Sequence, residues 1–96
     1  MILTYSAQAR ADLAGIADYL IQRNPAAALR VSNAIRTVID DLARHPKRGR
    51  RQDSPGVRKL VEPRYGYLIY YHLDEAGSVV TILAVRHHAQ DRLFDD

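Results

Sequence analysis

Between residue 7 and about residue 23 the apolar positions Ala9, Leu13, Ile16, Ala17, Leu20 and Ile21 recur every three or four residues, while Arg10, Asp12, Asp18 and Gln22 fall between them. That spacing predicts an amphipathic helix with one stripe to bury. Ser6, just ahead, suits an N-cap, because its hydroxyl accepts one of the orphan N–H groups of a first turn. Asn24-Pro25 then closes one pattern and opens the next: Asn caps well, and Pro fits the first helical position. A second stripe of Val31, Ala34, Ile35, Val38, Ile39 and Leu42 runs to about Arg44, where His45-Pro46 stops it. Two helices joined this tightly lie antiparallel, as a hairpin.

The period then changes from helical to strand-like. Residues 46–56, PKRGRRQDSPG, read as a loop. Val57–Glu62 reads as a strand with Arg58 and Glu62 turned outward, and Pro63–Gly66 as a turn. Tyr67–Leu73 is aromatic and branched enough to be a strand. Residues 74–77 should close a hairpin in which Gly77 takes the left-handed turn position. Ser78–Val85 is almost wholly apolar, as a strand in the middle of a sheet would be. Ile2–Tyr5 makes a further short strand at the start. The fold class is therefore α+β, in the order β-α-α-β-β-β, with the hairpin on one face of a largely antiparallel sheet. The expected organisation is one domain over 1–96: hairpin about 7–45, loop 46–56, sheet 57–86 and tail 87–96. The opposite sheet face stays uncovered, floored by alternate residues of the last strands and edged by the loop, which is a binding surface.

Composition narrows the classes. Ninety-six residues suit one small core, and the absence of Trp and Cys leaves Leu, Ile, Val, Ala and six Tyr to build it without disulfides. No run approaches the roughly 20 apolar residues of a membrane span, and no leader is expected, so a cytoplasmic protein without a membrane role is predicted. His45, His72, His87 and His88 lack zinc spacing, and Gly49 and Gly56 are isolated, so no metal or cofactor is expected. The net charge of +3 is unevenly placed: residues 44–64 hold eight Lys and Arg against Asp53 and Glu62. Such a cluster favours an anionic partner, whether a nucleic acid or an acidic peptide.

Several motifs, in order, carry a resemblance. S-x-x-A-R-x-D-L-x-x-I at Ser6–Ile16 is followed by H-P-x-x-G-R at His45–Arg50, G-V-R at Gly56–Arg58, Y-L-I-Y-Y at Tyr67–Tyr71 and I-L-A-V-R-H-H-A-Q-D at Ile82–Asp91. Over nearly its whole length the chain resembles the RelE/ParE toxin superfamily, closest to the ParE-like, plasmid-stabilisation branch. The resemblance implies a toxin of a type II toxin–antitoxin system, neutralised in a hetero-oligomer by a cognate antitoxin whose acidic, disordered segment folds around it. It implies DNA gyrase as the target in ParE-like members, poisoned by binding. In RelE-like members it implies mRNA on the ribosome, cut by an endoribonuclease. A third reading is an inactive member that only binds its antitoxin.

A metal-free RNA cut needs a base for the 2′-OH, an acid for the leaving oxygen and cations on the phosphate. The candidates are Arg58, Arg64, Arg86, His87 and His88, with Tyr67 or Tyr71 stacking a base. Adjacent strand residues face opposite ways, so only one of His87 and His88 enters any given site. RelE-like nucleases usually carry Arg at the first position of the third-strand motif, where this chain has Tyr67. Ala89, Gln90 and Asp91 also stand where nucleases carry acid–base groups. The binding reading therefore leads, no catalytic set is assigned, and the target contacts are expected at Lys47, Arg48, Arg50, Arg51, Arg58, Tyr67, Arg86 and Arg92.

Overall fold

A computed structural model describes residues 1–89. Arg92, Leu93 and Phe94, with the rest of the tail, lie outside the described residues. The chain forms β1 (Ile2–Tyr5), α1 (Ala7–Arg23), α2 (Pro25–Asp41), β2 (Arg50–Arg51), β3 (Val57–Glu62), β4 (Tyr67–Asp74) and β5 (Val79–His87). The strands make one sheet in the order β1-β5-β4-β3-β2. The α+β layering is as expected, with two differences. The sheet is mixed, because β1 runs parallel to β5, and the basic loop contains the short strand β2, paired antiparallel with β3.

The caps behave as their chemistry requires. Ser6 Oγ accepts from Ala9 N at 3.0 Å, and Asn24 Oδ1 accepts from Ala27 N at 3.1 Å. Asn24 thereby ends α1 and starts α2, with Pro25 at the first helical position. α2 stops at Asp41, about three residues before the end expected near Arg44, and Leu42, the last of the stripe, is still fully buried in the turn that follows. The hairpin between β4 and β5 differs from expectation. Ser78, at φ 55°, is the left-handed residue there, while Gly77 N–H donates to Asp74 Oδ1 at 3.1 Å. The aspartate caps its own turn and moves the left-handed position one residue along.

One hydrophobic core joins the layers. Val31, Ile35, Ile39 and Leu42 meet Ile69, Tyr71, Leu73, Val80, Ile82 and Val85, with Leu13, Ile16 and Leu20 packed at its side. The other sheet face carries Val57, Lys59, Val61, Leu68, Tyr70, His72, Thr81, Ala84 and Arg86, by register with their neighbours. Both helices lie on the first face, so among the described residues no helix covers the second, although Leu68 and Ala84 there are buried at 7% and 8% exposure.

An irregularity in β5 decides which residues face the helices. Tyr71 opposes Ile82 but Tyr70 opposes Ala84, so Leu83 is an extra residue in the strand. Without that bulge, alternation from Ile82 would bring Ala84 and Arg86 to the core side. With it, Val85 and His87 take those places and Arg86 turns outward. The displaced backbone is held by α1 and its cap: Ser6 Oγ–H donates to Leu83 O at 2.9 Å, and Val85 N–H donates to Asp12 Oδ2 at 2.9 Å.

Candidate target-binding surface

The basic loop is anchored from beneath. Tyr71 is fully buried, and its hydroxyl donates to Pro46 O at 2.7 Å while accepting from Gly49 N–H at 2.9 Å. Burial pushes the Tyr71 phenol above its ordinary pKa, against the opposing pull of the Gly49 hydrogen bond and the Arg58 charge. Arg58 shares the row of Tyr71 on the helix side, and its guanidinium donates to Lys47 O at 3.2 Å and Gly49 O at 2.8 Å. Arg58 and Tyr71 therefore hold the loop, and neither reaches the uncovered face.

The remaining loop cations divide into engaged and outward groups. Lys47 Nζ pairs with Glu75 at 2.9 Å across to the β4–β5 turn, and Arg48 pairs with Asp41 at the end of α2. The Lys47 ammonium, by hydrogen bond and by charge, holds the exposed Glu75 carboxyl below the usual range. Arg50 and Arg51 are exposed on β2, and Arg50 lies level with Lys59 and Tyr70 on the uncovered face.

The nuclease candidates converge only in part: the His87 and His88 rings lie 4.7 Å apart against the β3–β4 turn, while Arg58 and Arg86 lie elsewhere. Arg64 sits in the β3–β4 turn, its guanidinium 5.6 Å from the centre of the Tyr65 ring. Glu62, 2% exposed, secures that turn by accepting from Arg64 N–H at 2.7 Å and Tyr65 N–H at 3.0 Å. Glu62, Tyr67 and His87 form one row on the helix side, with the Tyr67 and His87 rings edge-on at 5.3 Å. Burial is the largest of the influences raising the Tyr67 phenol pKa; Glu62 and Tyr19 add to it.

His87 Nε2 lies 3.1 Å from Tyr65 O, and Ala89 N–H donates to His87 Nδ1 at 3.3 Å. A carbonyl only accepts, so Nε2 carries the proton and Nδ1 is the acceptor. Both ring nitrogens thereby help to hold the turn and the chain just beyond β5. His88 is exposed past the strand end, with its N–H on Gly66 O at 2.8 Å. Gly66 is required there: its φ is +81°, and a Cβ would stand 2.7 Å from His88 Nδ1. Arg86, by contrast, is exposed on the other face.

The order of elements and the placement of these groups can now be set against known proteins. The family model described as ParE toxin of type II toxin-antitoxin system, parDE, matches residues 3–92. The chain belongs to the ParE toxin family. Toxin RelE2 of Caulobacter vibrioides is 37% identical over 83 residues, spanning 86% of this chain and 90% of that protein. A structure of the chromosomal ParDE system from P. aeruginosa matches with a TM-score of 0.77 at 27% identity, covering 91% of this chain and 95% of that one. The intact E. coli RelBE complex matches with a TM-score of 0.67 over 90% of this chain and 94% of that one; at 14% identity the likeness is one of fold. The chain is thus a type II toxin of the RelE/ParE superfamily, with two helices on a five-stranded mixed sheet.

In this ParE-family sheet the tyrosines divide between the two faces. Tyr67 and Tyr71 both face the helices, whereas Tyr70 lies on the uncovered side, with Lys59 Nζ 5.9 Å from its ring centre. The face taken by Tyr70 was not readable because an aromatic run does not announce its parity. The only local signal was the charged Lys59 within a strand whose other face had to be apolar at Leu60.

Proposed function

We propose that this ParE-family toxin stops growth by binding and poisoning DNA gyrase, in the cytoplasm, and that a cognate antitoxin holds it inactive in a hetero-oligomeric complex. The observation that supports binding over RNA cleavage is the scatter of the acid–base and cationic candidates. Arg58 is held by loop carbonyls, His87 clasps the Tyr65 carbonyl on the helix side, Arg64 and His88 lie at the turn end, and Arg86 is on the opposite face. Proton transfer at a 2′-OH needs a base and an acid on opposite sides of one phosphate, within hydrogen-bond reach. His87 and His88 lie together, with ring centres 4.7 Å apart, but Arg58 and Arg86 stand away from them. A poison that works by occupancy needs only a complementary surface, which Arg50, Lys59 and Tyr70 begin to supply on the uncovered face.

The antitoxin partner is supported by the relatives, several of which were solved as toxin–antitoxin complexes. The decisive experiment induces the toxin and follows plasmid supercoiling and transcript integrity together. The expected result is loss of supercoiling with DNA breaks and intact transcripts at early times, unchanged in a His87→Ala/His88→Ala variant. Rapid transcript loss that the same double variant abolishes would establish the ribosome-dependent nuclease instead, and no effect on growth would mark an inactive member.

A further inference from the structure

A cavity of about 690 Å³ opens between α1 and the ends of β4 and β5. Three rings line it: Tyr19 from α1, Tyr67 from the start of β4 and His87 from the end of β5. Tyr67 and His87 meet edge-on, with centres 5.3 Å apart and planes at 81°, so they form a corner rather than a stack. Asp12 supplies the only carboxylate of the lining, and among the described residues no Lys or Arg lines the cavity. Its charge is unmatched. Oδ1 accepts from Gln8 Nε2 at 2.7 Å and Oδ2 from Val85 N–H at 2.9 Å, both neutral donors, and among the described residues no ion pair engages it. Each oxygen makes one such bond and has room to accept a second. Burial does most to raise the Tyr67 phenol pKa, and the Glu62 charge raises it further, so this wall keeps a neutral hydroxyl in a negative field.

Gly15 makes the space. It is exposed midway along α1, and a Cβ there would meet nothing within 4 Å, so no packing inside the chain calls for glycine. Glycine inside a helix is disfavoured relative to alanine, and one use that offsets the cost is close approach of the backbone to a ligand. We infer that this cavity binds a small alkylguanidinium, its fork on Asp12, its plane against the three rings and its alkyl chain over Gly15. The site is independent of the growth-arrest reading, since it uses neither the basic loop nor the uncovered face. Charge and shape select the class. A neutral planar group leaves Asp12 unmatched, and an anion is repelled by it. An ammonium brings the charge without the flat fork that fills one acceptor place on each oxygen. Aromatic rings attract the same group, as Tyr19 does the Arg23 guanidinium, 3.9 Å from its centre and outside the lining.

The test titrates the full chain with butylguanidinium and follows its amide resonances. Butylurea, flat and neutral, and butylammonium serve as controls. Millimolar butylguanidinium should give saturable shifts at Val85, whose N–H lies on Asp12, and at Gly15, and should raise the melting temperature by mass action. Butylurea should bind at least about tenfold more weakly, and butylammonium several-fold more weakly. Asp12→Asn keeps an oxygen for Val85 N–H but loses the charge, and should lower the affinity at least about tenfold. Gly15→Leu fills the cavity wall and should abolish binding without lowering the melting temperature. Ala14→Leu, exposed on α1 and outside the lining, should bind as the parent does. Circular dichroism verifies that each variant is folded. Equal binding of butylurea would overturn the cationic class, and parent-like binding by Gly15→Leu would overturn the place. The absence of any saturable shift would overturn both.

Discussion

Tyr71 shows how much one side chain does here, because a single buried hydroxyl satisfies Pro46 O and Gly49 N–H and so fixes the path of the basic loop. Tyr71→Phe leaves a buried N–H without its acceptor, and unfolding in urea should report a loss of about 1–3 kcal/mol. The loop amides, Gly49 first, should also exchange faster with solvent. The phenol makes a pH prediction as well. Its folded pKa is raised above the ordinary 10.0, chiefly by burial, so the folded state holds the proton more tightly than the unfolded chain. The contribution is complete below about pH 10, declines above it and is lost as pH rises through the folded value; the raised Tyr5 and Tyr67 act in the same window. Denaturation midpoints should therefore fall more steeply above pH 10 in the parent than in Tyr71→Phe, and parallel slopes would exclude this role. None of this was legible in the sequence. YLIYY announces a strand but not its parity, and the tyrosines offered as base stackers, Tyr67 and Tyr71, face the helices.

At the scale of elements, helix ends were readable because capping is local chemistry: Ser6 and Asn24-Pro25 each satisfy groups within three residues. The bulge at Leu83 was not, since its cause is an extra residue accommodated by bonds from Ser6 and Asp12, more than seventy residues earlier. A continuous apolar run gives no sign of where its alternation slips. Asp12 is thus a structural acid, and Asp12→Ala should destabilise the fold by about 1–3 kcal/mol by orphaning Val85 N–H, without touching any outward cation. Gly15 in the same helix behaves oppositely. A Cβ there meets nothing within 4 Å, so Gly15→Ala removes backbone entropy at no steric cost. Calorimetry should show a gain of about 0.5–1 kcal/mol, or roughly 2–8 °C in Tm for a domain of this size. A decrease would mean that α1 needs that glycine for a reason its own packing does not show.

For the molecule as a whole, the sheet sorts its charge by face. The hairpin takes the side where Arg58 is absorbed by loop carbonyls, and the other side keeps Lys59 and Arg86, with Arg50 of β2 in line with Lys59. The order of elements was legible because helical and strand periods differ so plainly. The parallel pairing of β1 was less so, since it depends on where a hairpin returns the chain. If the uncovered face grips the target, Arg50→Glu/Lys59→Glu should cost little stability, within about 0.5 kcal/mol, because neither side chain is in the core. The same pair should weaken gyrase inhibition on the order of 10- to 100-fold and reduce its sensitivity to salt, since reversed cations repel an anionic or DNA-bearing target instead of steering to it. Supercoiling assays with purified toxin across a salt series measure both effects. Full potency in the double variant, with unchanged salt dependence, would exclude Arg50 and Lys59 from the target contact.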